Sequence, residues 1–151
     1  MSSLHETDWY AWVHEQATLL ETGQFDALDV LPLVEELRVM SNTEPQELYN
    51  RLVVLLSHLL KLQVARELLP HAYDRAQRGW QITCRTQRKE IAKVLRRSPS
   101  LRPTLPEEVA DAYDVARLHA TMALQVDERV MPLTCPWDPD AVLQDDFFPE
   151  P

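Results

Sequence analysis

Six polar residues in this sequence carry side chains from which an anion-binding or acid–base site could be built. An arginine, a histidine and a carboxylate close to a tyrosine can bind an anion or transfer protons. Arg88 is the most informative of them, because it interrupts an otherwise apolar helical stripe and a buried guanidinium needs a partner. The same groups can equally form a satisfied structural network that fixes helix register, and the sequence favours this second interpretation. The six residues are Glu36, His58, Gln87, Arg88, Tyr113 and Arg117.

The segment 75–102 is a second candidate, because its charge differs from that of the remaining sequence. It holds nine Lys or Arg residues and one acid, a net charge of +8, whereas the remainder has a net charge of −17. A basic face can bind phosphate or nucleic acid, but we expect it to pack against the protein's own acidic helices or to face water. The cations spread over much of a predicted helix, and the acidic remainder would repel DNA. The candidate basic surface consists of Arg78, Arg85, Lys89, Lys93, Arg96 and Arg97.

The sequence lacks the motifs of the commoner catalytic and metal sites. With two glycines it has no Gly-rich phosphate loop, and its five histidines are not spaced for a zinc site on one helix. Cys84 and Cys135 form no Cys-x-x-Cys pair and are expected to be free thiols. We therefore predict no catalytic residue, no metal and no cofactor. A hydrolase built on the Arg, His and Glu candidates ranks last among the functions considered.

Length and composition favour a single helical domain over residues 1–151. A chain of 151 residues can bury one continuous core. Two glycines against 11 prolines favour helices joined by stiff links rather than hairpins. The first residues lack the pattern of a signal peptide, and the longest apolar run, from Leu52 to Leu56, is far shorter than the roughly 20 residues that span a bilayer. The sequence thus predicts a soluble, cytoplasmic protein that does not enter a membrane.

The helix predicted at 45–69 is the centre of the expected fold. Its leucines and valines cover more than half of the helical circumference, whereas a surface helix needs an apolar stripe of only about 100°. We therefore expect neighbouring helices to bury it on at least two sides. The apolar residues are Leu48, Leu52, Val53, Leu55, Leu56, Leu59, Leu60, Leu62 and Val64.

Apolar periodicity elsewhere predicts an all-α fold, a compact helical bundle of about five main helices around this buried central helix. A short C-terminal helical turn capped by Asp138 and a tail complete the chain. The segment 71–79 is polar and is expected to be a link. The other main helices are expected at 8–21, from 29 to about 40, at 80–97 and from 104 to about 125.

Local patterns predict how these helices begin and which faces they bury. Thr43 with Gln46 and Thr104 with Glu107 match the capping box. In the first helix, Trp9, Trp12 and Leu20 share one face that we expect to be buried. Asp29 is a plausible N-cap of the second helix. The buried stripe of that helix is expected to consist of Val30, Leu33, Val34, Leu37 and Met40.

Seven short motifs follow one another through almost the whole chain. They are 7–12 (Thr-Asp-Trp-Tyr-Ala-Trp), 33–37 (Leu-Val-Glu-Glu-Leu), 58–61 (His-Leu-Leu-Lys), 87–88 (Gln-Arg), 98–101 (Ser-Pro-Ser-Leu), Tyr113 with 116–117 (Ala-Arg), and 135–137 (Cys-Pro-Trp). In this order and spacing they resemble an uncharacterised family, domain of unknown function family 29. The resemblance implies an all-helical fold and a prokaryotic setting. It brings no established activity and no catalytic residues.

The function that the residues favour is a non-catalytic interaction module, which associates with itself or docks a partner protein. Apolar residues exceed what one buried stripe requires, and the loop 131–137 and the Phe147-Phe148 tail add further apolar groups. The alternative is nucleic-acid, phosphate or other anion binding through the segment 75–102. We expect a protein partner or a homo-oligomer, regard nucleic acid as the less favoured partner, and expect no membrane contact.

Overall fold

The computed structural model describes residues 3–150 and shows an all-α fold, with no strand among those residues. The predicted fold class is therefore confirmed. The helices are α1 (Leu4–Thr7), α2 (Trp9–Glu21), α3 (Val30–Ser41), α4 (Thr43–Leu68), α5 (Pro70–Arg97), α6 (Leu105–Leu124) and α7 (Pro139–Val142). Within the described part, the chain divides into two compact units, 3–43 and 44–150. A single domain over 1–151 stays a prediction.

In the first unit, polar hydrogen bonds join α2 to the start of α3. Asp8 caps α2, accepting a hydrogen bond from the Ala11 amide at 3.0 Å. The buried indole of Trp12 donates from Nε1 to Asp29 Oδ2 at 2.8 Å, and the Asp29 amide donates to Gln16 Oε1 at 2.8 Å. Asp29 thus precedes α3 as predicted, but its carboxylate holds Trp12 and makes no capping bond.

The predicted burial of the α3 stripe is wrong. No residue of α3 is buried, and Val30, Leu37 and Met40 keep 58, 61 and 65% of their surface exposed. On α2, Trp9 and Leu20 are exposed as well. The physical reason is the size of the unit: α2 has 13 residues and α3 has 12, and two such short helices offer too little neighbouring surface to cover both apolar faces.

In the second unit, α4 is the buried central helix that the sequence predicts. Leu56, at the middle of its apolar arc, is 0% exposed. Full burial of a leucine stabilises the fold by about 1.5–3 kcal/mol. Side chains of α5 and α6 belong to the same core, among them Ile91 and Val109. The buried residues of α4 are Leu48, Leu52, Val53, Leu55, Leu56, Ser57, Leu59, Leu60, Leu62, Val64 and Ala65.

The helix α5 begins at Pro70, well before the predicted start at Trp80, so the predicted link at 71–79 is wrong. Pro70 explains the difference, because its fixed φ suits the first turn of a helix as well as the end of the preceding one. Gly79 is tolerated inside the helix at a cost of about 1 kcal/mol relative to alanine. Since Leu69 alone separates α4 from α5, the two longest helices follow each other directly.

The two predicted capping boxes do not form. Thr43 is the first residue of α4 rather than its cap. Thr104 ends a 3₁₀ helix at Pro99–Thr104, and its hydroxyl donates to the Leu101 carbonyl at 2.6 Å. Because this 3₁₀ helix runs straight into α6, the backbone of Thr104 is already helical and lacks the extended geometry of the usual N-cap.

Candidate functional site

Among the described residues, Arg88 is the one charged residue that is buried, with 2% of its surface exposed. Its guanidinium donates three hydrogen bonds to main-chain carbonyls of residues 140–148, which we call the C-terminal segment. Nε donates to Val142 at 2.8 Å, Nη1 to Asp145 at 3.2 Å and Nη2 to Phe147 at 2.6 Å. The ring of Phe148 lies beside the same group, with its centroid 5.2 Å from Cζ. We call this arrangement the Arg88 clamp.

The clamp provides the buried partner that the sequence predicts for Arg88, and that partner is backbone rather than a carboxylate side chain. Burial lowers the pKa of Arg88, while the carboxylates of Asp145 and Asp146 act in the opposite direction. The group stays cationic, because the ordinary pKa of arginine lies far above neutrality. The three carbonyls thus replace the water that the guanidinium loses, and α5 holds the C-terminal segment in place.

His58 and Gln87 have separate partners. His58 Nδ1 lies 2.8 Å from the Val54 carbonyl oxygen, so this nitrogen carries the proton of the neutral ring. Burial lowers the pKa of His58, which favours that neutral form. Gln87 Oε1 accepts a hydrogen bond from Arg51 Nη1 at 3.3 Å and so joins α5 to α4. Both contacts fix helices rather than present a group to a ligand.

Tyr113 and Arg117 tie α6 to the loop that follows it. The Tyr113 hydroxyl donates to the Pro132 carbonyl at 2.6 Å, and burial raises the pKa of Tyr113 to about 12, so the hydroxyl keeps its proton. Arg117 donates to Glu128 twice, from Nη1 to the carboxylate and from Nη2 to the carbonyl at 3.0 Å. These bonds hold the loop against the helix.

Glu36 pairs with a histidine inside the first unit. His5 Nε2 lies 2.7 Å from Glu36 Oε1, which links α1 to α3. Hydrogen bonds from His5 and then Trp9 lower the pKa of Glu36, so the carboxylate is ionised at neutral pH. The His5 ring also meets the Trp12 ring edge-to-face, with centroids 4.4 Å apart. Glu36 therefore serves the packing of the three short helices.

The hydrogen bonds of the six candidates within residues 3–150 all run to groups outside the set. Such separate bonds have the character of structural contacts, which fix helix register and loop position. They do not satisfy every donor, because Arg117 Nε is buried without a hydrogen-bond partner among the described residues. Over the same residues, no three His, Cys, Asp or Glu side chains converge in a way that could hold a metal ion.

The basic residues of α5 are arranged differently from the spread that the sequence indicated. Arg88 points inward, and Arg97 Nη1 lies 3.5 Å from Glu44 Oε1. The remaining exposed cations fall within an arc of about 80°, along roughly 32 Å of the helix. Arg75 joins the row because 71–79 is helical. We call this row the cationic ridge; its members are Arg75, Arg78, Arg85, Lys89, Lys93 and Arg96.

A groove beside the C-terminal segment contains an unpaired polar atom that no motif indicates. Gln63 Oε1 is buried on α4 without a hydrogen-bond partner in the described part of the chain. Trp137 and Phe147 line the groove with it, and their rings meet edge-to-face with centroids 6.2 Å apart. A buried acceptor left unpaired costs about 1–3 kcal/mol. The groove therefore marks a weak point in the packing of the second unit.

Comparisons with other proteins place the chain in a family. No helix within residues 3–150 combines the length and the apolar character that crossing a membrane requires. Comparison with curated proteins and with solved structures gives no significant match. Residues 4–148, nearly the whole chain, match the family described as Domain of unknown function DUF29. The protein therefore belongs to that family, as the order of its motifs indicates.

Proposed function

We propose that the protein is a non-catalytic interaction module that docks a partner protein through exposed apolar residues of its first unit. The observation that carries this proposal is the number of large hydrophobic side chains that face solvent between residues 9 and 40. We call this set the N-terminal apolar surface. Its members are Trp9, Tyr10, Leu20, Phe25, Val30, Leu31, Leu37, Val39 and Met40.

The helix α3 has the sequence of a helix that is normally covered. Its stripe of Val30, Leu33, Val34, Leu37 and Met40 spans an arc of about 120°, the width that a core-facing helix needs. A helix that always faces water carries polar residues there. Because monomers rarely expose contiguous apolar patches beyond a few hundred Å², a partner that covers α3 accounts for the pattern.

The net charge of the first unit indicates which class of partner protein would bind to it. Residues 3–43 contain eight acids and one arginine, a net charge of −7. A partner with Lys and Arg around an apolar contact face would be attracted to the negatively charged first unit, whereas an acidic partner would be repelled. The proposed partner therefore presents a basic, amphipathic surface.

The proposed setting is the cytoplasm of a prokaryotic cell. The free thiols of Cys84 and Cys135 suit a reducing compartment, and the family resemblance implies the prokaryotic origin. Neither point bears on the identity of the partner.

A photo-crosslinking amino acid at position 37 tests the proposal in cells that make the full chain. Leu37 is 61% exposed on the stripe of α3, and Thr18, exposed on the opposite side of α2 from Trp9, is the control position. We expect a discrete protein adduct from position 37 and none from position 18. No adduct at position 37, or equal yields at both positions, would contradict the proposal.

The cationic ridge supports a second candidate function, the binding of nucleic acid or phosphate. Six cations in a row could neutralise successive phosphates. The rest of the chain has a net charge of −15, however, and a duplex with about one charge per 1.7 Å extends beyond the ridge towards that negative field. This candidate therefore ranks below protein docking. Binding to a generic duplex that weakens steeply with salt would support it.

A further inference from the structure

We infer that the cationic ridge of one copy of this chain docks the acidic and apolar residues 3–43 of a second copy. This inference rests on the proposed function, because it names the partner that covers the N-terminal apolar surface.

The ridge is largely without counter-ions of its own. Within the second unit, residues 44–150, Lys93 forms a salt bridge with Glu90 at 3.0 Å, and the other five ridge cations form none. Ile82 lies in the same arc, with 58% of its surface exposed. The ridge thus offers a row of cations that mostly lack a counter-ion, with an apolar side chain among them. One of these cations, Arg85, lies over the Phe148 ring, with Cζ 5.5 Å from the centroid.

The first unit has the complementary properties. Six ridge cations face a unit with a net charge of −7, and the exposed hydrophobic residues of that unit can cover Ile82. Within the first unit, the exposed acids Glu21 and Glu35 make no salt bridge or side-chain hydrogen bond. All α-helices have a pitch of about 5.4 Å. When a helix of one copy lies beside a helix of another, cations spaced by three or four residues on the first can therefore pair with acids of similar spacing on the second.

Other occupants fit the ridge less well. A nucleic-acid duplex carries charge beyond the ends of the ridge, where the acidic remainder of the chain repels it. A membrane surface requires an amphipathic helix with a substantial exposed apolar face, and the exposed arc of α5 has Ile82 as its one large hydrophobic residue. The first unit of a second copy fits the ridge better, because its acids and its exposed apolar residues lie together within one compact unit.

A contact between the ridge of one copy and the first unit of another produces a species larger than a single chain. Sedimentation velocity of the full chain at low ionic strength measures it directly. Raising the ionic strength to about 1 M shortens the Debye length to roughly 3 Å and should weaken association at least about tenfold. A chain that remains monomeric up to millimolar concentration overturns the inference.

Charge reversal on either surface tests which residues are responsible for self-association. Arg78→Glu with Lys89→Glu reverses the middle of the ridge, and Glu21→Lys with Glu35→Lys reverses exposed acids of the first unit. Each pair should weaken self-association at least about tenfold. The matched controls are Arg66→Glu with Arg102→Glu and Asp111→Lys with Asp114→Lys, all at exposed positions off both surfaces. Equal effects of test and control pairs would overturn the inference.

Mixing the two charge-reversed proteins provides the decisive measurement. The ridge of the acid-reversed protein is native, and so is the first unit of the ridge-reversed protein, so one native contact can form between them. An equimolar mixture should therefore associate more tightly than either protein alone. If the mixture behaves as the average of its components, the two surfaces do not bind each other and the inference fails.

The failures of this inference and of the proposed function can be told apart. A monomeric chain that still gives a discrete foreign adduct from position 37 keeps the interaction module and removes the second copy as its partner. Self-association that ignores salt and charge reversal, yet is lost in Leu37→Asp, keeps the interaction module and the second copy as its partner, but overturns the ridge as the docking site. Salt-dependent binding of a generic duplex that is lost in Arg78→Glu with Lys89→Glu would assign the ridge to nucleic acid and overturn the inference.

Discussion

Arg88 Nη2 lies 2.6 Å from the carbonyl oxygen of Phe147, although 59 residues separate the two in sequence. Together with the bonds to Val142 and Asp145, this contact fastens the C-terminal segment to α5. A buried cation that is held this way contributes to stability by joining distant parts of the chain, and its removal should leave three acceptors poorly satisfied.

Replacing Arg88 with methionine should lower the free energy of unfolding by about 3 kcal/mol, because it removes charge-assisted hydrogen bonds and strands buried carbonyls. Urea denaturation measures the change. Lys89→Met is the matched control, since Lys89 is the exposed neighbour on the same helix, and it should cost about 0.5 kcal/mol or less. Equal stabilities of the two variants would show that the clamp does not hold the fold.

The same substitution should loosen the C-terminal segment more than the core. In Arg88→Met, amide hydrogen exchange at residues 140–148 should accelerate at least about tenfold beyond the change in global stability, because the segment loses its anchor. Amides of α4 should follow the global stability alone. Unchanged protection at residues 140–148 would mean that packing of Phe147 and Phe148 is sufficient without the clamp.

The same substitution, leucine to aspartate, should have a large effect on stability at a buried position and a small one at an exposed position. Leu56→Asp places a charge at a fully buried position of α4, and we expect it to abolish cooperative folding. Leu37→Asp, on the exposed stripe of α3, should change the free energy of unfolding by about 0.5 kcal/mol or less. Circular dichroism during thermal unfolding measures both. A wild-type transition in Leu56→Asp would contradict the central position of α4.

The unpaired Gln63 Oε1 predicts a substitution that does not destabilise. Gln63→Met has a similar volume and removes the unsatisfied acceptor, so it should leave the free energy of unfolding unchanged or raise it by up to about 1 kcal/mol. Gln63→Glu is the opposite control, because it places a negative charge at the same atom and should destabilise. A clear loss of stability in the methionine variant would show that Gln63 has a partner.

His58 should make the protein less stable as pH falls below the pKa of an unfolded histidine, about 6.5. Burial, assisted by the cation of Lys61, lowers the pKa of His58, so the unfolded chain binds a proton that the folded chain does not. His58→Gln should therefore show a smaller loss of stability than wild type between about pH 7.5 and pH 5.5. Identical slopes would mean that the folded ring accepts the proton freely.

The helices whose signal lies in apolar spacing were predictable, and α4 is the clearest case. Its burial follows from Leu52, Leu56 and Leu59 on one broad arc, because no other arrangement hides them from water. The start of α5 was not predictable in the same way. Pro70 ends one helix and begins the next, and the polar residues that follow it carry no sign of which state they adopt.

The partners of the candidate residues were harder to predict than their burial. The position of Arg88 in an apolar stripe indicates that it needs an acceptor, but backbone carbonyls have no signature in sequence. The α3 stripe fails for a related reason: Leu37 and Met40 show that a face is apolar, and periodicity does not say whether the chain itself buries that face. The cationic ridge was missed because Arg88, which is buried, and Arg97, which pairs with Glu44, were counted with the other cations of α5.

The Arg88 clamp binds main-chain carbonyl oxygens, which every amino acid possesses. Since Val142, Asp145 and Phe147 contribute carbonyl oxygens, replacing the side chain of Asp145 should not open the clamp, whereas no other residue can substitute for the five-donor fork of Arg88. An exposed side chain in this stretch can therefore be exchanged at little cost while Arg88 cannot, so the tolerance for substitution is unequal at the two ends of one contact.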